Sequence, residues 1–178
     1  MKHQVQMLKR TLRHWASTLA LAALVLFAPT AWGQETITLT GNVSQAIVPG
    51  TVYTFQDSGG PDGNYSTSQN YTATFTCAGE ITINFTQFVT ESSSSCYNWD
   101  YMQIYDGNAT TGTLLARGQT GCSSATLTTG TAYVATSGTM TIVWQSDGST
   151  NAAGWVATIT GAEPSSCPQP MGLVCSNY

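Results

Sequence analysis

Residues 81–91 read Ile-Thr-Ile-Asn-Phe-Thr-Gln-Phe-Val-Thr-Glu, and this stretch decides the fold class. Apolar Ile81, Ile83 and Phe85 alternate with polar residues, which is the pattern of a strand with one buried face. A helix would instead bring apolar residues together at intervals of three and four positions. The stretch therefore predicts a half-buried β-strand that leads into an acid, Glu91.

The same alternation recurs along the chain, for example at residues 37–39, 140–144 and 155–159. Clusters of Gly, Asn, Asp and Ser separate these runs, as expected of turns between short strands. After residue 33 we find no convincing amphipathic helix. About ten short strands at this spacing predict an all-β chain, an antiparallel β-sandwich or jelly roll with one core.

The charged residues are unevenly distributed. The chain has 178 residues with 5 Lys+Arg, 9 Asp+Glu and 2 His. From residue 34 onward only Arg117 is basic, so the net charge there is 1 − 9 = −8, with no Lys and no His. Nucleic-acid binding needs basic residues against phosphates, and catalytic triads need an imidazole, so both classes are excluded. Calcium binding, paired-carboxylate hydrolysis and plain recognition remain open.

Residues 1–33 have the three parts of a secretory signal peptide. A basic start is followed by ten apolar residues, 19–28, and by small residues at Ala31 and Gly33. This pattern predicts cleavage before Gln34 and export to the cell exterior. A transmembrane anchor is disfavoured because ten helical residues span only about 15 Å, half of a bilayer core. We therefore expect a secreted protein without a membrane span, whose cysteines are in an oxidising compartment.

Three acids lie where predicted strands begin or end. Glu91 follows one strand, Asp100 precedes the next and Asp147 follows a third. If these strands share a sheet, their ends would bring three carboxylates together with neutral oxygens from residues 149–151. Calcium takes six to eight such oxygens. The alternative interpretation is that these acids are solvated turn residues.

The stretch from Tyr53 to Thr160 resembles a CUB domain, in particular those of secreted multidomain bacterial proteins. The segments that carry the resemblance are Asp57-Ser-Gly-Gly-Pro-Asp-Gly-Asn-Tyr65, residues 81–91, Cys96-Tyr-Asn-Trp-Asp-Tyr-Met-Gln-Ile-Tyr-Asp-Gly107, Thr113-Leu-Leu-Ala-Arg117, Gln145-Ser-Asp-Gly-Ser149 and Gly154-Trp155. They occur in the family's order and at its spacing. The resemblance implies the CUB jelly-roll sandwich.

The resemblance also implies a calcium ion at one end of the sandwich. Its metal residues would be Glu91, Asp100, Asp147, Ser149 and Thr150, and Tyr65 would help hold the glutamate. Thr150 stands where the family often has Asn, and Asn151 is one position further on, so one ligand could be lost or replaced by water. In the family the ion orients acids that grip a Lys or Arg of a partner protein. Glu91, Asp147 and Ser149 would then also contact that ligand.

Aromatic residues surround Asp100 in sequence. Some of Tyr97, Trp99 and Tyr101 are expected to pack inward, and this core interpretation is the favoured one. The alternative is that an exposed pair, Trp99 and Tyr97, stacks on the sugar rings of a glycan.

Two disulfides are expected on different grounds. Cys96 and Cys122 match the family's second disulfide, which would stabilise the fold by about 3–4 kcal/mol on the chain-entropy model. The family's first disulfide is absent, so Cys77 has no family partner, and we predict that it pairs with Cys167, which is expected near the same end. Cys175 is left without an assigned partner, as expected if the chain is a fragment.

The resemblance and the composition together predict five regions. These are a signal peptide at 1–33, an N-terminal strand region at 34–52, a CUB domain at 53–161, a Pro/Ser linker at 162–170 and the start of a truncated fibronectin type III domain at 171–178. Such a chain would be the front of a larger modular protein, an adhesin or a peptidase with appended domains, which missing domains could hold at the cell surface.

Two functions of different classes follow. The first is a secreted, calcium-binding, non-catalytic recognition or adhesion module for basic protein partners or glycans. The second is a small glycosidase-type hydrolase using two of Glu91, Asp100 and Asp147; the domain could also be an accessory to a secreted peptidase. The first is favoured, because calcium would keep all three acids ionised and the chain has almost no basic donors for a sugar.

Overall fold

A computed structural model describes residues 34–165 of the chain. These residues form ten strands and no helix, which confirms the predicted all-β class. In chain order the strands are β1 (Glu35–Thr38), β2 (Val43–Ala46), β3 (Val52–Gln56), β4 (Asn70–Thr76), β5 (Ile81–Val89), β6 (Tyr101–Asp106), β7 (Thr113–Gly118), β8 (Ala132–Ala135), β9 (Thr139–Gln145) and β10 (Gly154–Gly161).

The strands form two five-stranded sheets. Sheet A has the order β1-β3-β10-β5-β8, and sheet B has the order β2-β4-β9-β6-β7. One continuous hydrophobic cluster takes residues from both sheets, so the molecule is a sandwich around a single core. This confirms the sandwich and the single core that the alternating strands predict.

The core shows why the period-2 pattern was informative. In β10, Trp155, Ala157 and Ile159 are fully buried, whereas the residues between them are only partly covered. Trp155 meets Trp144 of β9 across the sandwich, with ring centroids 4.5 Å apart. The two indoles thus link the central strands of the two sheets.

Two strand pairs at the sheet edges depart from the antiparallel expectation. β1 pairs with β3 in parallel, and β2 pairs with β4 in parallel. The reason is that the chain alternates between the sheets over its first four strands. Each strand therefore lies beside the next but one, which runs in the same direction, and no hairpin can form there.

Asp57 fastens the start of β10 to the end of β3. The sequence marks it as a turn residue, and its Oδ1 does accept a hydrogen bond from Gly59 N at 2.7 Å. Its Oδ2 accepts another from Trp155 N at 2.6 Å, and the side chain is fully buried. Gly154 has φ of +71°, and a methyl group there would overlap Asp57 Oδ2. Burial raises the pKa of Asp57, although these backbone groups lower it.

Several sequence predictions fall outside the described residues. The signal peptide, Cys167, Cys175 and the fibronectin type III-like start at 171–178 are among them, and they stay predictions. Between residues 34 and 165 there is no helix long and apolar enough to cross a membrane.

Candidate cation-binding site

Three carboxylates meet at one end of the sandwich. Glu91, Asp100 and Asp147 each offer an oxygen, and these oxygens all lie within 4.8 Å of one another. Such a cluster can supply the negative charge and the hard oxygen ligands that calcium requires.

The acids reach this end from both sheets, so the condition that their strands share one sheet is not met. β6 and β9 are neighbours in sheet B with Tyr101 opposite Gln145, so Asp100 and Asp147 are adjacent. Glu91 comes from the end of β5, which belongs to sheet A. The cluster therefore spans the open end of the sandwich and connects the two layers.

Asp100 and Tyr65 form the buried base of this cluster. Asp100 is fully buried; its Oδ1 accepts a hydrogen bond from Asp147 N at 2.7 Å, and its Oδ2 accepts one from the Tyr65 hydroxyl. The same hydroxyl accepts a hydrogen bond from Glu91 N at 2.9 Å. Tyr65 therefore links Asp100 to the backbone of Glu91. In this way it connects the end of β5 to the start of β6.

Burial and neighbouring negative charge raise the pKa values of Glu91 and Asp100. The pKa of Glu91 is raised by burial and then by the negative charges of Asp147 and Asp100. Burial raises the pKa of Asp100 as well, and Asp147 adds to this, although hydrogen bonds from Tyr65 and from Asp147 N oppose it. The pKa of Tyr65 is raised by burial and by Asp100. A positive ion among these acids would relieve the repulsion between them.

One oxygen of the cluster is buried without a hydrogen-bond donor. Within residues 34–165, Glu91 Oε2 is inaccessible to solvent and has no hydrogen-bond partner. A buried carboxylate oxygen without a partner is costly. A bound cation would satisfy it, so the residues present fit a metal ion on this independent ground.

The loop after β9 shapes the exposed side of the cluster. Asp147 Oδ1 accepts hydrogen bonds from Ser149 N at 2.8 Å and from Ser149 Oγ at 3.4 Å. Thr150 has φ of +44°, and its side chain lies close enough to Glu91 to lower the pKa of that carboxyl. Asn151 instead accepts from Asn64 Nδ2 at 3.4 Å, which turns its side-chain oxygen toward Asn64.

A threonine pair that sequence reasoning missed holds the end of β5 in place. Thr90 N donates to Thr120 Oγ1 at 2.9 Å, and Thr120 N donates to Thr90 Oγ1 at 2.9 Å. This reciprocal pair fixes the residue directly before Glu91. In a chain so rich in threonine, nothing in the sequence distinguishes these two.

The aromatic residues around Asp100 do not lie in the core, so the favoured inward interpretation is wrong. Met102 and Ile104 occupy the buried positions of β6, and Tyr101 therefore faces outward. Trp99 is 39% exposed. Tyr97 packs on Tyr101 with ring centroids 6.0 Å apart, and the Arg117 guanidinium lies 5.2 Å from the Tyr97 ring centroid.

The disulfide that the resemblance implies is present. Cys96 and Cys122 are bonded, with a sequence separation of 26. The bond ties the loop before Asp100 to the loop after β7. Cys77 is half-buried and its Sγ lies 3.4 Å from the carbonyl oxygen of Ala162, five residues before Cys167. Its pairing with Cys167 stays a prediction.

Comparison with known proteins identifies the family. A family model described as the CUB domain matches residues 49–159. Among solved structures, the CUB1-EGF-CUB2 domains of rat MASP-1 match with 20% identity and a TM-score of 0.57, covering 77% of this chain and 49% of that one. The corresponding human MASP-1/3 domains match with 25% identity and a TM-score of 0.52, covering 71% of this chain and 48% of that one.

A more distant structural neighbour is the full extracellular region of zebrafish Gpr126/Adgrg6. It has 17% identity and a TM-score of 0.52, over 74% of this chain and 15% of that one. The chain thus spans about half the length of the MASP-1 structures and far less of the zebrafish protein. No curated protein sequence matches the chain. These structural likenesses show the fold.

Proposed function

This chain belongs to the CUB domain family, and on that premise we propose that it is a secreted, calcium-binding recognition module with no catalytic step of its own. CUB domains are in general non-catalytic interaction modules. The observation that carries the calcium part is the meeting of the Glu91, Asp100 and Asp147 carboxylates within 4.8 Å, with Glu91 Oε2 buried and without a donor.

In this proposal the three carboxylates are the main calcium ligands. Ser149 and Thr150 lie beside them and offer neutral oxygens, and Tyr65 holds Asp100 and the backbone at Glu91 in position. Bound calcium would supply positive charge that keeps the carboxylates ionised and fixed. The orientation of the acids, rather than the ion itself, would then determine what the surface recognises.

We propose a protein with an exposed Lys or Arg as the partner of this end of the domain. Preoriented carboxylates form short, strong hydrogen bonds to such a cation. Glu91, Asp147 and Ser149 would make these contacts, with Trp99 and Tyr97 nearby to contact the rest of a protein or a glycan surface. The net charge of −8 from residue 34 onward favours approach of a basic partner. The setting we propose is a larger extracellular protein with further domains, an adhesin or a secreted peptidase.

One observation favours the glycosidase alternative, and another opposes it. The raised pKa values of Glu91 and Asp100 are what a carboxyl acting as general acid needs. However, Asp100 is fully buried and both of its oxygens accept hydrogen bonds inside the protein. It cannot reach a glycosidic bond, and Glu91 and Asp147 are left without a basic side chain to bind the sugar beside them.

Calcium titration of the purified full chain tests the proposal. We expect a calorimetric Kd in the micromolar to millimolar range. At calcium about 100-fold above Kd, the free energy of unfolding should rise by about 2.7 kcal/mol relative to chelator. The absence of both heat and stabilisation would refute the calcium site.

Two matched variants locate the site, because β5 has an acid near each end. Glu91→Gln should weaken calcium binding about tenfold or more, since it removes a charged ligand. Glu80→Gln, the same change at an exposed position before the other end of β5, should leave the affinity unchanged. If Glu91→Gln instead abolished hydrolysis of a glycoside that the unmodified chain cleaves, the hydrolase would replace the recognition module.

A further inference from the structure

The outer face of sheet B carries a row of tyrosines along β6. Because Met102 and Ile104 point into the core, Tyr101, Gln103 and Tyr105 point out. Arg117 of β7 lies opposite Gln103, and Gln145 of β9 lies opposite Tyr101. We call these outward residues (Tyr101, Gln103, Tyr105, Arg117 and Gln145), together with Tyr97 at their edge, the tyrosine face.

The outer face of sheet A provides an internal comparison. Its neighbouring inner strands β5 and β10 present outward residues that include Thr82, Asn84, Val156 and Thr158, with no aromatic side chain among these four. On both outer faces these strands have one side buried in the core and the other side toward solvent. Solubility therefore does not require the tyrosines of sheet B, and a specific contact explains them better.

The tyrosine rings are half-exposed and held in place by their own hydroxyls. The Tyr101 hydroxyl donates to Gln145 Oε1 at 3.0 Å, and the Tyr105 hydroxyl accepts from the Gln103 amide nitrogen at 3.2 Å. A ligand that packed on these rings would therefore not have to order them first. Along β6 the two positions are about 13 Å apart, so a chain of several units would contact both.

Arg117 places a single positive charge on this face. It is the only Lys, Arg or His between residues 34 and 178. Its contacts within the described residues are with neutral groups: Gln103 accepts from Nε at 3.1 Å and from Nη2 at 3.3 Å, and the Tyr97 ring lies beneath the guanidinium. These contacts hold the planar guanidinium in place and leave some of its N–H donors free. A carboxylate is the group whose two oxygens match the spacing of such donors.

We propose that the tyrosine face binds an acidic saccharide, a chain that contains uronic acid units. The sugar carboxylate would pair with Arg117, the apolar faces of the sugar rings would pack on Tyr101 and Tyr105, and ring hydroxyls would meet the glutamine amides. The net charge of −8 from residue 34 onward disfavours the approach of an acidic chain. The local charge of this face nevertheless selects an acidic sugar over a neutral one, because the Arg117 guanidinium contacts only neutral groups. The acidic cluster takes no part, so this binding does not require calcium; Tyr97 is the one residue that the tyrosine face shares with the partner surface proposed above.

The test is calorimetric titration of the full chain in chelator. The probes are oligosaccharides of galacturonate, mannuronate and glucuronate, with oligosaccharides of galactose, mannose and glucose as neutral counterparts. At least one uronate should bind, and its neutral counterpart should bind at least about tenfold more weakly because a charge-assisted hydrogen bond is lost. Arg117→Gln should weaken uronate binding about ten- to a hundredfold, for the same reason.

Variants of Tyr105 separate ring stacking from folding. Tyr105→Leu should weaken binding about two- to tenfold, whereas Tyr105→Phe keeps the ring and should bind like the unmodified chain. Thr158→Ala, on the outer face of sheet A, is the matched control and should have no effect. Unchanged circular dichroism would show that each variant is folded.

Four results would overturn the proposal. They are no binding of any uronate, equal binding of the neutral sugars, loss of uronate binding in Glu91→Gln, and binding of polyglutamate as tight as that of uronates. The third would assign the sugar to the acidic end, and the fourth would assign the face to an acidic protein. None of them depends on whether calcium binds, so this proposal and the calcium proposal can fail separately.

Discussion

Replacing Tyr65 with Phe removes one oxygen that holds the acidic end together. The hydroxyl donates to the buried Asp100 carboxylate and accepts from Glu91 N at 2.9 Å. Its loss leaves a buried carboxylate oxygen without that donor and a backbone N–H without an acceptor. A hydrogen bond to a charged group contributes about 1.5–3 kcal/mol, so we expect the free energy of unfolding in chelator to fall by about 2–4 kcal/mol.

The same substitution should also weaken calcium binding. Groups that orient metal ligands typically change metal affinity about 10- to 100-fold when they are removed. Because the Phe ring still fills the site, the change tests the hydroxyl and not the packing against Trp144, whose ring centroid is 5.0 Å from that of Tyr65. Urea unfolding in chelator and calcium calorimetry measure the two effects.

Tyr133→Phe is the matched control. Its hydroxyl also makes two short hydrogen bonds, donating to Thr126 O at 2.9 Å and accepting from Thr128 N at 2.7 Å, but both partners are neutral. We expect a loss of about 1–2 kcal/mol and unchanged calcium affinity. If Tyr65→Phe lowered stability no more than Tyr133→Phe and left calcium binding intact, the linking role of Tyr65 would be refuted.

Three further predictions concern other parts of the domain. Gly154→Ala should lower the free energy of unfolding by about 3–5 kcal/mol, because its methyl group overlaps the buried Asp57 carboxylate, which accepts backbone hydrogen bonds. Gly130→Ala is the control: Gly130 has a similar φ but open space around it, so the loss should be only about 1–2 kcal/mol. Equal losses of the two variants in thermal unfolding would contradict this. Burial raises the pKa of Asp106, but hydrogen bonds from residues 137 and 136 outweigh the effect of burial and hold that pKa low. The stability that ionised Asp106 contributes is therefore complete above pH of about 4 and disappears as the pH falls through the lowered pKa. Asp106→Asn should reduce the change in the urea unfolding midpoint between pH 5 and 2, and an unchanged pH dependence would contradict this. Peptide mapping without reduction should link Cys77 to Cys167, and a link to any other cysteine or a free thiol would disprove the pairing.

Strand positions were predictable from the sequence because alternation is a local property. The alternating runs at residues 81–85 and 140–144 lie within β5 and β9. Strand pairing is not local, and so the two parallel edge pairs and the sheet that carries Glu91 were not predicted. The three acids were predicted to meet, but their meeting across the end of the sandwich could be known only after the sheets were assembled.

The buried and outward residues show the same limit. Asp57 looked like an ordinary turn acid, since nothing in Asp-Ser-Gly-Gly indicates that Trp155, 98 residues later, donates to it. The outward direction of Tyr101 could have been predicted, because the apolar residues Met102 and Ile104 occupy alternate positions of the same strand and therefore face inward. Their alternation is stronger evidence than the general tendency of aromatic side chains to be buried.

The single arginine also determines how susceptible the domain is to trypsin-like proteases. A trypsin-like enzyme cuts after Lys or Arg, so between residues 34 and 178 it has only the bond after Arg117. That bond lies within β7, paired with β6, and Arg117 itself is partly covered by Tyr97. Cleavage requires an extended segment freed from its sheet, so β7 must first detach by local unfolding. Digestion by a trypsin-like protease should therefore be slow, and its rate should report the opening of this one edge strand.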